Sequence, residues 1–386
     1  MTDIFMQFDV RQATERELTR RQAAGELDRR IKSFIESGPG SAAESDAEFQ
    51  SLALTLFDHQ FDHNEFYRRY CASRGVTPGQ VRIWSEIPAV PTSSFADVRL
   101  AAFPQDRESV RFSSSGSTRD GGPASVLELE STELYDASLR THFKACVLPD
   151  MPRIDMVMLS PTFGEAPHSS LAYMLSHLFA NFGAGGGFFV REGALDVDAA
   201  ARALARARRP MLVFGTAFAF VHFFDACRER ELMFALPPGS RTVETGGFKG
   251  RSRSLARDDF YRLLTEVFGV PRDFCISEYG MCELGSQCYD ANLGDVLAGR
   301  PPRHDLKIAP HWSRWTVVNP VDERELPPGE TGLLRCLDLS NRGSVAAVLT
   351  ADLGMARAGG FRFVGRSTAA PPKGCSTAID AMLSSA

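Results

Sequence analysis

The chain has 386 residues, more than one hydrophobic core of about 150 residues organises, so a large composite domain or two to three lobes are expected. Hydrophobic residues make up 44% and charged residues 24%, with 28 phenylalanines, which excludes a disordered chain. The 43 basic and 48 acidic residues leave a net charge of −5, which excludes a broad electrostatic footprint for nucleic acid or anionic lipid.

The N-terminal stretch MTDIFMQFDVRQATERELTR mixes both charges and lacks the apolar segment of a signal peptide, so a cytoplasmic location is expected. Residues 9–37 carry Ile31, Phe34 and Ile35 at helical spacing among Arg and Glu, and 46–71 reads as a second helix. Pro78, Pro88 and Pro91 then punctuate a looped connection. From there short apolar runs at 156–159, 188–190, 211–214 and 274–277 alternate with helical segments near 168–182, 196–208, 216–230 and 256–268. That is the pattern of βαβ units, so the fold class is α/β with a largely parallel sheet. The uncharged stretch 166–190 is broken by His168, Asn181 and a glycine cluster, and reads as helix, turn and strand instead of a membrane span. Beyond 312 the helices stop, and 315–318, 332–337, 345–350 and 360–364 read as strands. The expected organisation is a helical region over 1–100, an α/β core over 101–311, a β-rich subdomain over 312–365 and a tail over 366–386. Eight cysteines stand singly, with no C-x-x-C and no metal-type cluster with His, and read as reduced thiols.

Three segments carry chemistry. In the first, Ser113, Ser114, Ser115, Gly116, Ser117 and Thr118 lie between two strand-like flanks, 110–112 and 124–130. Glycine lets backbone N–H groups converge on phosphate and hydroxyls add donors, but no Gly-Lys-Ser/Thr follows, so the loop is either a phosphate cradle or a surface turn. In the second, Ser277-Glu278-Tyr279-Gly280-Met281-Cys282-Glu283 follows an apolar strand, where an aromatic ring can stack on a purine and a carboxylate can hold Mg²⁺ beside phosphate. Upstream, Gly246 and Gly247 form a turn followed by Lys249, Arg251 and Arg253. In the third, Asp352 follows a strand, where a carboxylate can accept both ribose hydroxyls, and Gly365-Arg366 comes shortly after.

Taken in order, these segments resemble the adenylate-forming superfamily of acyl-CoA synthetases, adenylation domains and luciferases. Within it the chain resembles the acyl-protein synthetases of bacterial bioluminescence, the long-chain-fatty-acid–luciferin-component ligases. The resemblance is carried by ETGGFKGRSR, SEYGMCELGSQCYD, DLSNRGSVAAVLTADLG, GFRFVGR and KGCS. It implies the adenylate-forming fold, with mixed, largely parallel sheets, a C-terminal β-rich subdomain, and a mobile C-terminal domain that is absent or vestigial. It also implies ATP-dependent activation of a fatty or aryl acid as acyl-AMP with Mg²⁺, then transfer through a cysteine thioester to a protein acceptor such as a reductase or carrier protein. By position, Ser114, Ser115, Gly116, Ser117 and Thr118 resemble the loop for the β- and γ-phosphates. Tyr279 and Gly280 resemble the adenine shelf, Gly246 and Gly247 its other wall, Asp352 the ribose carboxylate, Glu283 the Mg²⁺ ligand and Arg366 the hinge arginine. Cys282 replaces the Thr usual beside the phosphates. Cys375 matches the acyl-accepting cysteine, with Lys373 two residues away to lower its thiol pKa. Lys249, Arg251, Arg253 or Lys373 would supply the cation that longer relatives carry on a C-terminal domain. Met174, Phe179, Phe214, Phe218 and Phe220 are expected near the acyl chain, with His222 among them. Two alternatives are a compact acyl-CoA ligase acting directly on coenzyme A and a nucleotide-binding interaction subunit without chemistry.

Overall fold

A computed structural model describes residues 22–38, 41–114, 124–246 and 255–367. Its helices are α1 (22–36), α2 (Ala42–His63), α3 (Glu65–Ser73), α4 (Ser94–Asp97), α5 (Glu133–Cys146), α6 (Ser170–Phe182), α7 (Val197–Ala205), α8 (Ala217–Glu229), α9 (Arg257–Phe268) and α10 (Asn292–Leu297). The strands are β1 (Val90–Pro91), β2 (Val110–Ser113), β3 (Val126–Leu129), β4 (Ile154–Leu159), β5 (Gly183–Phe188), β6 (Val190–Arg191), β7 (Ala194–Leu195) and β8 (Met211–Thr216). They continue as β9 (Arg241–Thr245), β10 (Cys275–Tyr279), β11 (Cys288–Asp290), β12 (Lys307–Ile308), β13 (Ser313–Val318), β14 (Thr331–Asp338), β15 (Ala347–Arg357) and β16 (Gly360–Arg366).

One 12-stranded sheet runs β13-β14-β15-β16-β12-β11-β10-β9-β8-β4-β5, with β1 alongside β15. From β5 to β10 every pairing is parallel, and from β10 to β13 every pairing is antiparallel. The fold is therefore mixed α/β, as the alternation of runs and helices predicts.

The parallel half is buried on both faces, because its strands are apolar runs whose alternate residues serve two cores. Met156, Met158, Leu212 and Phe214 join the core under α2, α5 and α6, whereas Val157, Leu159, Met211 and Val213 join the core under α7, α8 and α9. The antiparallel half covers a smaller third core of Tyr279, Cys288, Val317, Leu326, Leu334 and Phe361.

Two local predictions are corrected. The run 46–71 is two helices, because the buried Asn64 side chain accepts from Tyr67 N at 3.0 Å and so starts α3 where α2 stops. The strand expected at 188–190 begins at Gly183 instead: Gly186 has φ +96, and a Cβ there would collide with the Met156 carbonyl, so the glycines let β5 lie close on β4. Among the described residues no cysteine is in a disulfide, and no helix is long and apolar enough to cross a membrane.

Candidate functional site

Strand β10 is the last parallel strand, and the chain leaves its carboxyl end over Gly280 into the segment 280–287 before returning as antiparallel β11. The carboxyl ends of parallel strands are where an α/β sheet opens a crevice. Tyr279, 8% exposed, closes β10. Trp315 and Phe361 meet that ring at 75° and 82°, each with centroids 5.6 Å apart, and Phe363 lies 5.3 Å away, so its orientation is fixed. The Tyr279 hydroxyl donates to Asp352 Oδ2 at 2.9 Å, joining β10 to β15 across the antiparallel half. Burial, and then the Asp352 charge, push the Tyr279 phenol well above its usual range. Burial also raises the Asp352 carboxyl, while the Tyr279 hydroxyl and Arg366 pull it back. Arg366 stands opposite Asp352 in the β15–β16 register.

Glu283 is buried, and that burial raises its carboxyl; a hydrogen bond with the Ser125 side chain and the charge of Arg366 act the other way, and Asp352 adds to the rise. Ser125 belongs to the β2–β3 hairpin, where its N–H donates to Ser114 Oγ at 3.0 Å and its carbonyl accepts from Ser114 N at 3.0 Å. The hairpin thus brings Ser114 to the Glu283 side of the crevice. Behind the turn, a Cβ on Gly280 would stand 2.5 Å from Glu278 Oε1. Thr245 donates to the other Glu278 oxygen, and burial pushes this carboxyl up to about 7, with Thr245 and Lys307 opposing the rise and Glu244 adding to it. Lys307 is itself buried, paired with Asp290 at 2.9 Å and donating to the Ser277 carbonyl at 2.7 Å.

The structure therefore gathers Ser114, Tyr279, Gly280, Glu283, Asp352 and Arg366 around one seam of the sheet. Cys282 is buried beside them and influences Tyr135 electrostatically. Gly246 leaves β9 at φ +67 with open space around it, as a turn requires. Ser115, Gly116, Ser117, Thr118, Gly247, Lys249, Arg251, Arg253, Lys373 and Cys375 lie outside the described residues. Trp315, Phe361, Phe363 and Ser125 are contacts that sequence reasoning did not single out. The alternation Phe361, Phe363 within GFRFVGR was the available signal for two of them.

The residues grouped around the acyl chain are brought together only in part: Met174, Phe179 and Phe214 share one core. Met174 and Phe214 lie in one core and Phe220 in the other, on opposite faces of the sheet, because β8 alternates its side chains while α8 covers only one face. His222 is exposed on α8, with its ring 6.3 Å from Phe218.

Among the described residues no three His, Cys, Asp or Glu side chains form a metal cluster. A magnesium ion carried on phosphates needs only one or two protein carboxylates, and Glu283, a carboxyl raised by burial beside a hydroxyl and an arginine that oppose the rise, fits that part because a cation would offset the burial.

The profile of the acyl-protein synthetase family LuxE matches residues 28–384. The long-chain-fatty-acid–luciferin-component ligase of Vibrio harveyi is 23% identical over 313 residues, covering 79% of this chain and 78% of that protein. The ligase of the same name from Aliivibrio fischeri is 22% identical over 311 residues, with the same coverage. Among solved structures, a 2-hydroxyisobutyryl-CoA ligase in complex with its acyl-AMP and CoA superposes with a TM-score of 0.65 at 15% identity, over 85% of this chain and 69% of that one. The likeness in shape extends the observed architecture to the adenylate-forming ligases as a fold.

Proposed function

Because the chain belongs to the LuxE acyl-protein synthetase family and is an ATP-dependent acid ligase, we propose that it activates a long-chain fatty acid as acyl-AMP at the seam of its sheet and passes the acyl group through Cys375 to a protein acceptor. The observation that carries this reading is the Tyr279–Asp352 hydrogen bond, which holds an aromatic ring and a carboxylate side by side at the end of the last parallel strand. Tyr279 supports the adenine, with Gly280 leaving room for the close backbone approach and Gly246 and Gly247 on the far side. Asp352 accepts from the ribose hydroxyls, an acceptance that releases its carboxyl from the effect of burial. Ser114 and the hydroxyls of Ser115, Ser117 and Thr118, with Gly116, surround the β- and γ-phosphates.

In the first step a carboxylate oxygen of the acid attacks the α-phosphorus, the bond from that phosphorus to the bridging oxygen breaks, and pyrophosphate leaves with the electron pair. Arg366, and one of Lys249, Arg251, Arg253 or Lys373, offset charge on the non-bridging oxygens as it develops. Mg²⁺ held by Glu283 would supply further neutralisation of the departing pyrophosphate. In the second step the Cys375 thiolate attacks the acyl carbon, a C–S bond forms, the C–O bond to phosphate breaks and AMP leaves. Lys373 lowers the thiol pKa so that the thiolate is available. A thiolate or other nucleophile on the protein acceptor then takes the acyl group and restores Cys375.

Intact-mass spectrometry tests the sequence of steps. With ATP, Mg²⁺ and a panel of fatty and aryl acids, the wild type is expected to gain one acyl mass with a long-chain acid, and Cys375→Ala to gain none while still releasing pyrophosphate. A wild type that releases pyrophosphate but stays unmodified would remove Cys375 and point to a direct acceptor such as coenzyme A.

A further inference from the structure

The segment DLSN, singled out within the DLSNRGSVAAVLTADLG block, has no part in the steps above. Its residues end β14 and form a tight turn over Leu339–Asn341, and Asp338, Ser340 and Asn341 are all buried. Asn341 Nδ2 donates to the Glu283 carbonyl at 2.8 Å. The Asp338 Oδ1 atom accepts from Ser286 Oγ at 2.8 Å, Ser340 Oγ at 2.7 Å and Ser340 N at 3.0 Å. Between these two contacts, a Cβ on Gly285 would collide with Ser340 Oγ and stand 3.1 Å from Asn341 Oδ1, so the turn lies directly on the segment that carries Glu283. Ser286 is further tied to Trp312 Nε1 at 2.9 Å and to Ser138 Oγ of α5 at 3.0 Å.

The turn is itself held from behind by the N-terminal helices. Gln60 of α2 donates to the Asn341 carbonyl at 2.8 Å and accepts from Ala346 N at 2.9 Å. Arg342 pairs with Asp28 of α1 at 2.6 Å and with Glu130 after β3 at 3.1 Å. Fixing the Glu283 carbonyl removes rotation of the peptide that sets where its carboxyl points. A carboxylate displaced by about 1 Å loses most of the benefit of a fixed position.

We infer that Asn341 and Asp338 are positioning residues for Glu283, a clamp through which helices α1 and α2 hold the metal-side carboxylate in the crevice; this rests on the reading of Glu283 as the Mg²⁺ ligand. The test is titration calorimetry of the full chain with an ATP analogue whose α,β bridge cannot be cleaved, with and without Mg²⁺. Glu283→Gln is expected to abolish the Mg²⁺-dependent gain in affinity. Asn341→Ala, losing one buried hydrogen bond, is expected to lower that gain about five-fold while leaving metal-free affinity within about two-fold. Added to Glu283→Gln, Asn341→Ala is expected to cost nothing further, whereas a merely structural role would lower both affinities in either background. Asp338→Asn, which keeps the Oδ1 acceptor and puts an amide where Oδ2 has no partner among the described residues, is expected to behave as wild type; Asp338→Ala is expected to behave as Asn341→Ala. If Asn341→Ala does not fold, Ser286→Ala on the other side of the contact is expected to lower the gain in the same sense. A full Mg²⁺ gain in the folded Asn341 or Ser286 variant, with Glu283→Gln deficient, overturns the clamp alone. A full gain in Glu283→Gln overturns the metal reading and the clamp with it.

Discussion

The parallel half of the sheet, β5 to β10, and the antiparallel half, β10 to β13, are built for different work. The first is packed between two cores, so its side chains answer mainly for stability. The second shares the large core through Trp312, Val318, Leu333, Leu337 and Val348 and also covers the small third core. The groups we assign to nucleotide binding stand where the two meet: Tyr279 and Glu283 come from the last parallel strand and the segment after it, Asp352 and Arg366 from the antiparallel hairpin β15–β16. A site divided in this way is assembled only when both halves are in place, which separates substitutions that unfold the chain from those that disable it.

The largest expected effect lies deep in the parallel half. Arg241 is fully buried, paired with Asp150 and donating to the Val147 and Gly239 carbonyls. Arg241→Ala is expected to cost about 3–5 kcal/mol in urea unfolding, while pyrophosphate release per folded molecule stays unchanged. At the seam the balance reverses. Asp352→Ala, removing the carboxylate we assign to the ribose hydroxyls, is expected to lower acid-dependent pyrophosphate release by about 100-fold, with a smaller loss of stability than Arg241→Ala from the Tyr279 hydroxyl it leaves without an acceptor.

Glu278 sharpens the contrast through pH. Burial pushes its carboxyl up to about 7 in the folded chain against the ordinary 4.5, so between those values the folded state keeps a proton that the unfolded state releases. Its contribution to stability therefore falls as pH rises from about 4.5 to 7 and is level above that, by up to about 3 kcal/mol. His142, lowered to about 4 by burial, and His59, lowered to about 3, act in the opposite sense. The difference between wild type and Glu278→Gln, followed by urea unfolding from pH 4 to 8, isolates the Glu278 effect; a difference that does not change with pH would contradict it. The smallest expected effect is that of Tyr279→Phe, which keeps the ring and deletes the bond to Asp352. A weakening of ATP binding by about ten-fold, read in the KM for ATP, is the expected outcome.

The parallel half is legible from sequence because its signals are local. The apolar runs at 156–159 and 211–214 and the helical segments at α6 to α9 carry their own periodicity, and the structure ends each within a few residues of expectation. Strand β5 escapes this reading because its glycines have no side chains to give a pattern, and the break at Asn64 because a cap within an apolar run does not interrupt its spacing. Residues of the seam can be named from motifs, but their contacts cannot. Tyr279 and Asp352 are 73 positions apart, and nothing between them states that they share a hydrogen bond. Phe214 and Phe220 are near in sequence yet face different cores, since one sits on a strand and the other on the helix that covers its far side. Asn341 was visible only as part of a block of similarity, and its contact with Glu283 depends on the whole sheet closing.

The central claim, that the seam activates an acid with ATP, is tested most directly by acid-dependent ATP–pyrophosphate exchange. With a long-chain fatty acid and Mg²⁺, exchange is expected in the wild type and in Cys375→Ala, and its loss in Asp352→Ala. Exchange at the wild-type rate in Asp352→Ala, or none from the wild type with any acid in the panel, would contradict the account.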